Sequence, residues 1–189
     1  MEKMDHRVRV TKHLLRNALT VLLTEKPIAA ITVKELCLRA GINRGTFYAH
    51  YTDVYDLLKS IQQEMEASFF EALRPVLDEA SQLTPPKMTK KIFECIEANA
   101  DLCRATIGPH GDKEFARSLI RRSKELCMIS YLRFYPNATE KQIETYFTFV
   151  SGGCMALMER WIRGGMTESS AVLAESAERI MESGIGFLK

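Results

Sequence analysis

Hydrophobic positions recur at helical spacing along almost the entire chain. Val10, Leu14, Leu15, Ala18, Leu19, Leu22 and Leu23 return at helical intervals, which puts them on one face of a first helix. Pro27, two residues past Glu25, closes that segment. Thr32 followed three positions later by Glu35 has the form of a capping box, in which each side chain satisfies the other residue's backbone amide. A short second helix starts there and ends near Arg39, because Gly41 stands where a helix C-terminus takes a left-handed residue. Asn43 is placed to cap a third helix over 44–51. Two short helices joined by a glycine-containing turn form the helix-turn-helix pattern, with Val33, Leu36, Cys37, Ile42 and Phe47 as its small core.

Asp53 can cap a fourth helix whose apolar stripe runs through Val54, Leu57, Leu58, Ile61, Met65, Phe69, Leu73, Val76 and Leu77, with Pro75 as a kink or stop. Thr84 before Pro85 and Pro86 marks a further helix start, and the pattern breaks at 99–101. A Gly-Pro-His-Gly loop occupies 108–111, and Asp112 can cap a helix that stops before Pro136. Thr139 and Gln142 make a second capping box, opening a long helix that Gly164 and Gly165 end; a last helix covers 169–183. Nothing favours a strand. The expected architecture is all-α: a three-helix helix-turn-helix module over 1–53 and a helical ligand-binding and dimerisation domain over 54–189.

The overall charge of +2 is bland, but its distribution is not: through His50 there are nine Lys and Arg against four Asp and Glu, leaving the rest of the chain at −3. A basic front on a mildly acidic body suits an anionic partner, of which a phosphate backbone is the common kind. A recognition helix must show short polar and aromatic groups to DNA while its other face packs. Arg44, Thr46, Tyr48 and His50 meet that need. Arginine reads guanine bidentately or grips phosphate, threonine suits a thymine methyl or a polar edge, and tyrosine and histidine reach phosphate oxygens. Gly45 removes a side chain where backbone and DNA can approach closely.

These residues resemble the TetR (tetracycline-repressor-type) regulators, whose run of Ile-Thr-Val, about eight helical residues, Ala-Gly-Ile and Gly-Thr-Phe-Tyr-x-His-aromatic is matched within 31–58. The resemblance implies an N-terminal DNA-binding domain in which Thr32, Asn43, Arg44, Gly45, Thr46, Tyr48 and His50 face operator DNA, a pseudo-palindrome read by a homodimer. One departure stands out. Many members carry lysine at the start of the fourth helix, where it grips phosphate, whereas this chain reads Asp53-Val54-Tyr55-Asp56. Arg7, Arg9 and Lys12 are candidate substitutes, as a basic arm.

The runs Phe149-Val-Ser-Gly-Gly153 and Trp161-Ile-Arg-Gly-Gly165 are similar to the ligand and dimerisation domain of one TetR subgroup. That likeness implies pairing through the last two helices, with Phe147, Val150, Cys154, Leu157, Trp161 and Ile180 at the interface. Gly152 and Gly153 cost a helix about 1 kcal/mol each relative to alanine, which a close helix crossing would offset. Phe69, Phe70, Phe93, Met128, Tyr131 and Phe134 are candidates for an apolar effector site on the central helices.

Catalysis and metal binding find no support, since HExxH, a nucleophile elbow, a phosphate-cradling glycine loop and CxxC pairs are all missing. No catalytic residue, metal ligand or cofactor is expected. Five scattered cysteines point to reduced thiols in the cytoplasm. Neither a signal-peptide core nor about 18 consecutive apolar residues occurs, so no membrane partner is expected. The expected function is a ligand-responsive, DNA-binding repressor; the alternative is a TetR-like coactivator that works through another regulator.

Overall fold

The computed structural model describes residues 2–78, 84–107, 110, 112–184 and 186. Among them the chain is helical throughout, in nine α-helices with two short 3-10 turns and no strand. It divides into two compact units, one built from 1–65 with 101–113 and the other from 66–100 with 114–189. The first unit takes in, besides 1–53, the fourth helix as far as Met65 and nearly all of the sixth helix.

In the first unit, α1 (Glu2–Glu25) begins well before its apolar stripe, so Arg7, Arg9 and Lys12 are helical rather than a loose arm. A 3-10 turn at Ile28–Ala30 leads to α2 (Val33–Ala40), then α3 (Arg44–Tyr48) and the start of α4 (Val54–Leu73). Leu15, Leu19, Leu22, Leu36, Phe47 and Ile61 are at most 1% exposed and form the unit's centre. Each such side chain stabilises the fold by roughly 1.5–3 kcal/mol through burial. The short α6 (Ala100–Ile107) joins them, its Thr106 hydroxyl donating to the sulfur of Met65 at 2.9 Å and to the Leu102 carbonyl at 2.7 Å.

In the second unit α4 stops at Leu73 and a 3-10 turn, Arg74–Leu77, carries Pro75, which has no amide with which to continue an α-helix. α5 (Pro85–Ala98) starts on its two prolines. α7 (Lys113–Phe134) and α8 (Glu140–Arg163) follow, and the Thr139 capping box is complete, with both reciprocal hydrogen bonds made. The expected loop at 108–111 lies mostly outside the described residues. α9 (Ser170–Gly184) packs on α5, and Glu97 of α5 caps it, accepting from the Ser170 amide at 3.0 Å and hydroxyl at 2.6 Å. The core gathers Leu73, Met88, Tyr131, Ile143, Tyr146 and Phe147.

Two of the expected interface residues belong to this interior. Phe147 is buried in the core cluster, and Trp161 packs edge-on to Phe93 at 6.2 Å while its indole N–H donates to the Glu168 carbonyl at 2.9 Å. α8 is apolar on more than one face, so periodicity alone does not separate its inward residues from its outward ones. Among the described residues no helix is long and apolar enough to cross a membrane.

Candidate nucleic-acid interface

The first unit presents α3 through three local devices. The Thr32 hydroxyl oxygen accepts from the Glu35 amide at 3.2 Å and starts α2. Gly41, at φ 67°, makes the left-handed turn, its amide bonding back to α2. The Asn43 side-chain oxygen then accepts from the Gly45 amide at 2.7 Å and starts α3. The expected return half of the Thr32 box is replaced: the Glu35 carboxylate receives Lys26 Nζ at 2.6 and 2.7 Å. A charge-assisted pair outcompetes an amide for those oxygens, and the lysine holds the Glu35 carboxyl below its ordinary pKa. Arg39 pairs with Glu25 at 2.7 Å, a second tie between α2 and α1.

α3 is shorter than the expected 44–51, ending at Tyr48, after which the His50 amide closes a tight bond to the Phe47 carbonyl at 2.9 Å. Its inward side is Phe47, at 0% exposure, flanked by Tyr48 with ring centroids 5.4 Å apart and by Tyr51 at 5.9 Å. The opposite side stands in solvent: Arg44, Gly45 and Thr46 are exposed, and Tyr48 is 52% exposed. His50 is half-buried beside Tyr51, with ring centroids 6.4 Å apart. Among the described residues Arg44 makes no ion pair. A methyl group on Gly45 would sit 3.3 Å from the Asn43 side-chain oxygen, so glycine here keeps the cap uncrowded.

The structure thus brings the seven expected residues into one short stretch, with Thr32 and Asn43 already engaged through their oxygens. What remains to each is a donor: the Thr32 hydroxyl hydrogen and the Asn43 amide hydrogens, groups suited to phosphate oxygens. Two exposed side chains escaped sequence reasoning. Tyr55, 53% exposed in the first turn of α4, stands where the lysine is missing, and Leu38 on α2 is 81% exposed. The signal for Tyr55 was present, since a helix position outside the Val54, Leu57, Leu58 stripe faces water. Asp53 caps α4 by accepting from the Asp56 amide at 2.8 Å, and Asp56 accepts from the Thr52 amide at 3.0 Å.

A helix-turn-helix with an outward polar recognition face, joined to a second all-helical unit, is the layout of a transcriptional regulator. Residues 15–61 match the family model described as bacterial regulatory proteins, tetR family, and 84–183 match that of a transcriptional regulator C-terminal region. The chain belongs to the TetR family of transcriptional regulators.

An uncharacterized HTH-type transcriptional regulator of Bacillus subtilis (strain 168), YxbF, is 30% identical over 59 residues, which span 31% of this chain and 16% of that protein's length. Among solved structures, the regulator FadR from Bacillus subtilis, in complex with stearoyl-CoA, superposes at a TM-score of 0.68 with 14% identity, over 92% of this chain and 98% of that one. A TetR-like transcriptional regulator from Rhodococcus sp. RHA1 gives 0.66 with 16% identity, over 93% and 96%. At such identities the likeness is one of fold.

Proposed function

We propose that this chain is a cytoplasmic, ligand-responsive repressor that acts by binding rather than catalysis and grips a pseudo-palindromic operator as a homodimer. The observation that carries the reading is α3 itself: Arg44, Thr46 and Tyr48 exposed around a wholly buried Phe47, with no carboxylate paired to Arg44 among the described residues. In this reading Arg44 and Thr46 meet base edges, while Tyr48, His50, Thr32 and Asn43 reach phosphates and Gly45 lets the backbone approach. The functional division lies at 53/54, DNA reading before it and effector binding and pairing after it. Gel-shift titration on the promoter fragments of neighbouring genes tests this. Arg44→Ala should weaken binding with the fold unchanged, and equal affinity at matched salt would overturn the reading.

A second copy is the proposed occupant of an apolar groove of about 670 Å³ between α8 and α9. Val150, Cys154, Leu157 and Ile180 of the expected interface line it, and so does Phe149, 76% exposed. Gly152 and Gly153 support pairing too, because the space where their Cβ atoms would stand is open within 4 Å. In a dimer that openness admits the close crossing that offsets two helical glycines.

In this reading an effector binds among the central helices of the second unit, and the stearoyl-CoA complex of FadR is the precedent for a ligand on this fold. The ligand acts by changing the separation of the two recognition helices, which successive major grooves set at roughly 34 Å. By linkage, an inducing ligand binds the free dimer more tightly than the operator-bound one. A second reading, action through another regulator, is favoured by Asp53, Tyr55 and Asp56 at the start of α4, where a lysine commonly meets phosphate. Failure of the wild-type dimer to shift any promoter fragment at low salt would select it.

A further inference from the structure

The second unit holds a half-open cavity of about 80 Å³ between α4, α5, α7 and α8. We propose that it is a site for small uncharged carbonyl compounds and alcohols, whose oxygen accepts the hydroxyl hydrogen of Tyr131. The proposal rests on the effector reading above and narrows it to a ligand class.

Charge is the first filter. Among the described residues no acidic or basic side chain lines the cavity, whose walls are mostly apolar, among them Phe69, Ile92, Phe93, Phe147 and Met158. Burial pushes the thiols of Cys127 and Cys154, both in the wall, up to about 11, because ionised groups are poorly solvated there. A carboxylate or phosphate entering it would lose its hydration with no cation to replace it.

The second filter is the pattern of hydrogen bonds. Three hydroxyls in the wall have already placed their hydrogens: Ser123 donates to the Ile120 carbonyl at 3.0 Å, Ser151 to the Thr148 carbonyl at 3.3 Å, and Thr89 to the Met181 sulfur at 3.3 Å. Tyr131 differs. It lines the cavity at 4% exposure, and its hydroxyl makes no hydrogen bond to any described residue. Its ring is held in place, edge-on to Tyr146 with centroids 5.6 Å apart. With no acceptor among the described residues, that hydroxyl hydrogen is available to a ligand oxygen. Burial raises its pKa, so the group stays a donor at any physiological pH.

Size is the third filter. A cavity of about 150 Å³ holds benzene, so the present one suits a body of roughly three or four carbons. 2-Butanone combines that body with a carbonyl and no charge; butyrate has nearly the same size and a full negative charge.

The test uses the full-length protein and titrates 2-butanone and butyrate, followed by methyl chemical shifts in NMR. Saturable 2-butanone binding is expected, with butyrate at least tenfold weaker. Tyr131→Phe should keep the fold and weaken 2-butanone about fivefold or more. Ile92→Phe, which fills the cavity, should abolish binding; if that variant does not fold, Tyr131→Phe still decides. Absence of saturable binding, butyrate as tight as 2-butanone, or an unchanged affinity in Tyr131→Phe each overturns the proposal. Repeating the titration with operator DNA separates the two readings: binding that meets these criteria but leaves operator affinity unaltered supports the site and removes its role as an effector site.

Discussion

Phe47 and Tyr48 are neighbours on a five-residue helix, yet they should respond to truncation in opposite ways. Phe47 is 0% exposed and touches the rings of Tyr48 and Tyr51; Tyr48 is 52% exposed. A buried phenylalanine hides about 150–250 Å² of surface, and at about 25 cal/mol per Å² this sets an upper bound of roughly 4–6 kcal/mol. Truncations that leave a cavity in a well-packed core cost about 3–5 kcal/mol, and that is the expected loss for Phe47→Ala. Such a loss is a large share of the roughly 5–15 kcal/mol that holds an ordinary domain together.

Tyr48→Ala keeps its backbone and gives up only an edge contact on a half-hydrated ring, worth about 1 kcal/mol. Urea unfolding monitored by circular dichroism measures both losses, and gel shifts at fixed salt measure operator affinity. Tyr48→Ala should weaken the operator complex about fivefold or more while remaining folded, as expected for one lost hydrogen bond to phosphate. The assignment of inward and outward faces is refuted if Phe47→Ala costs less than about 1.5 kcal/mol, or if Tyr48→Ala destabilises as much as Phe47→Ala.

Gly41 sits at φ 67°, so Gly41→Ala should cost about 1 kcal/mol in thermal or urea unfolding; no loss would mean that the turn relaxes without strain. Ile180→Asp places a charge at a position 61% exposed in the protomer, so it should leave the protomer folded and give a monomer by light scattering at micromolar concentration; an unchanged dimer would move the interface off the α8–α9 groove. Glu97 is held below its ordinary value of 4.5 by its hydrogen bonds from Ser170, so the folded state favours its charged form. The stabilisation is therefore present above pH 4.5 and is lost as the pH falls through the lower, folded value; Glu97→Gln should flatten that part of an acid titration of thermal stability, and an identical acid profile would refute it.

Local chemistry makes the helix-turn-helix legible in the sequence alone. Thr32, Gly41, Asn43, Asp53 and Thr139 each act within three or four residues of themselves, so their capping and turning roles can be read from spacing. All five play them in the fold. The face of α3 is legible for a similar reason: among Arg44, Gly45, Thr46, Phe47 and Tyr48, Phe47 is the apolar residue with no polar group to keep in water. Even here one local reading failed, because the partner of Glu35 proved to be Lys26, nine residues away.

What only the tertiary structure decided concerns residues whose neighbours are distant in sequence. α8 carries apolar side chains around much of its circumference, and nothing in its period says that Phe147 and Trp161 turn inward while Phe149 stands in solvent. The competing partners, Phe93 on α5 and the Glu168 carbonyl beyond the helix end, come from other parts of the chain. Of the six central residues read as effector candidates, Phe69, Phe93 and Tyr131 line the cavity, whereas Phe70 lies beneath the Arg122 guanidinium at 5.2 Å. That Tyr131 keeps an unused hydroxyl inside an uncharged cavity follows from the positions of α4, α5, α7 and α8 together. A hydrogen bond that is not made leaves no trace in a pattern of polar and apolar letters; it appears only when every potential partner has been placed in space.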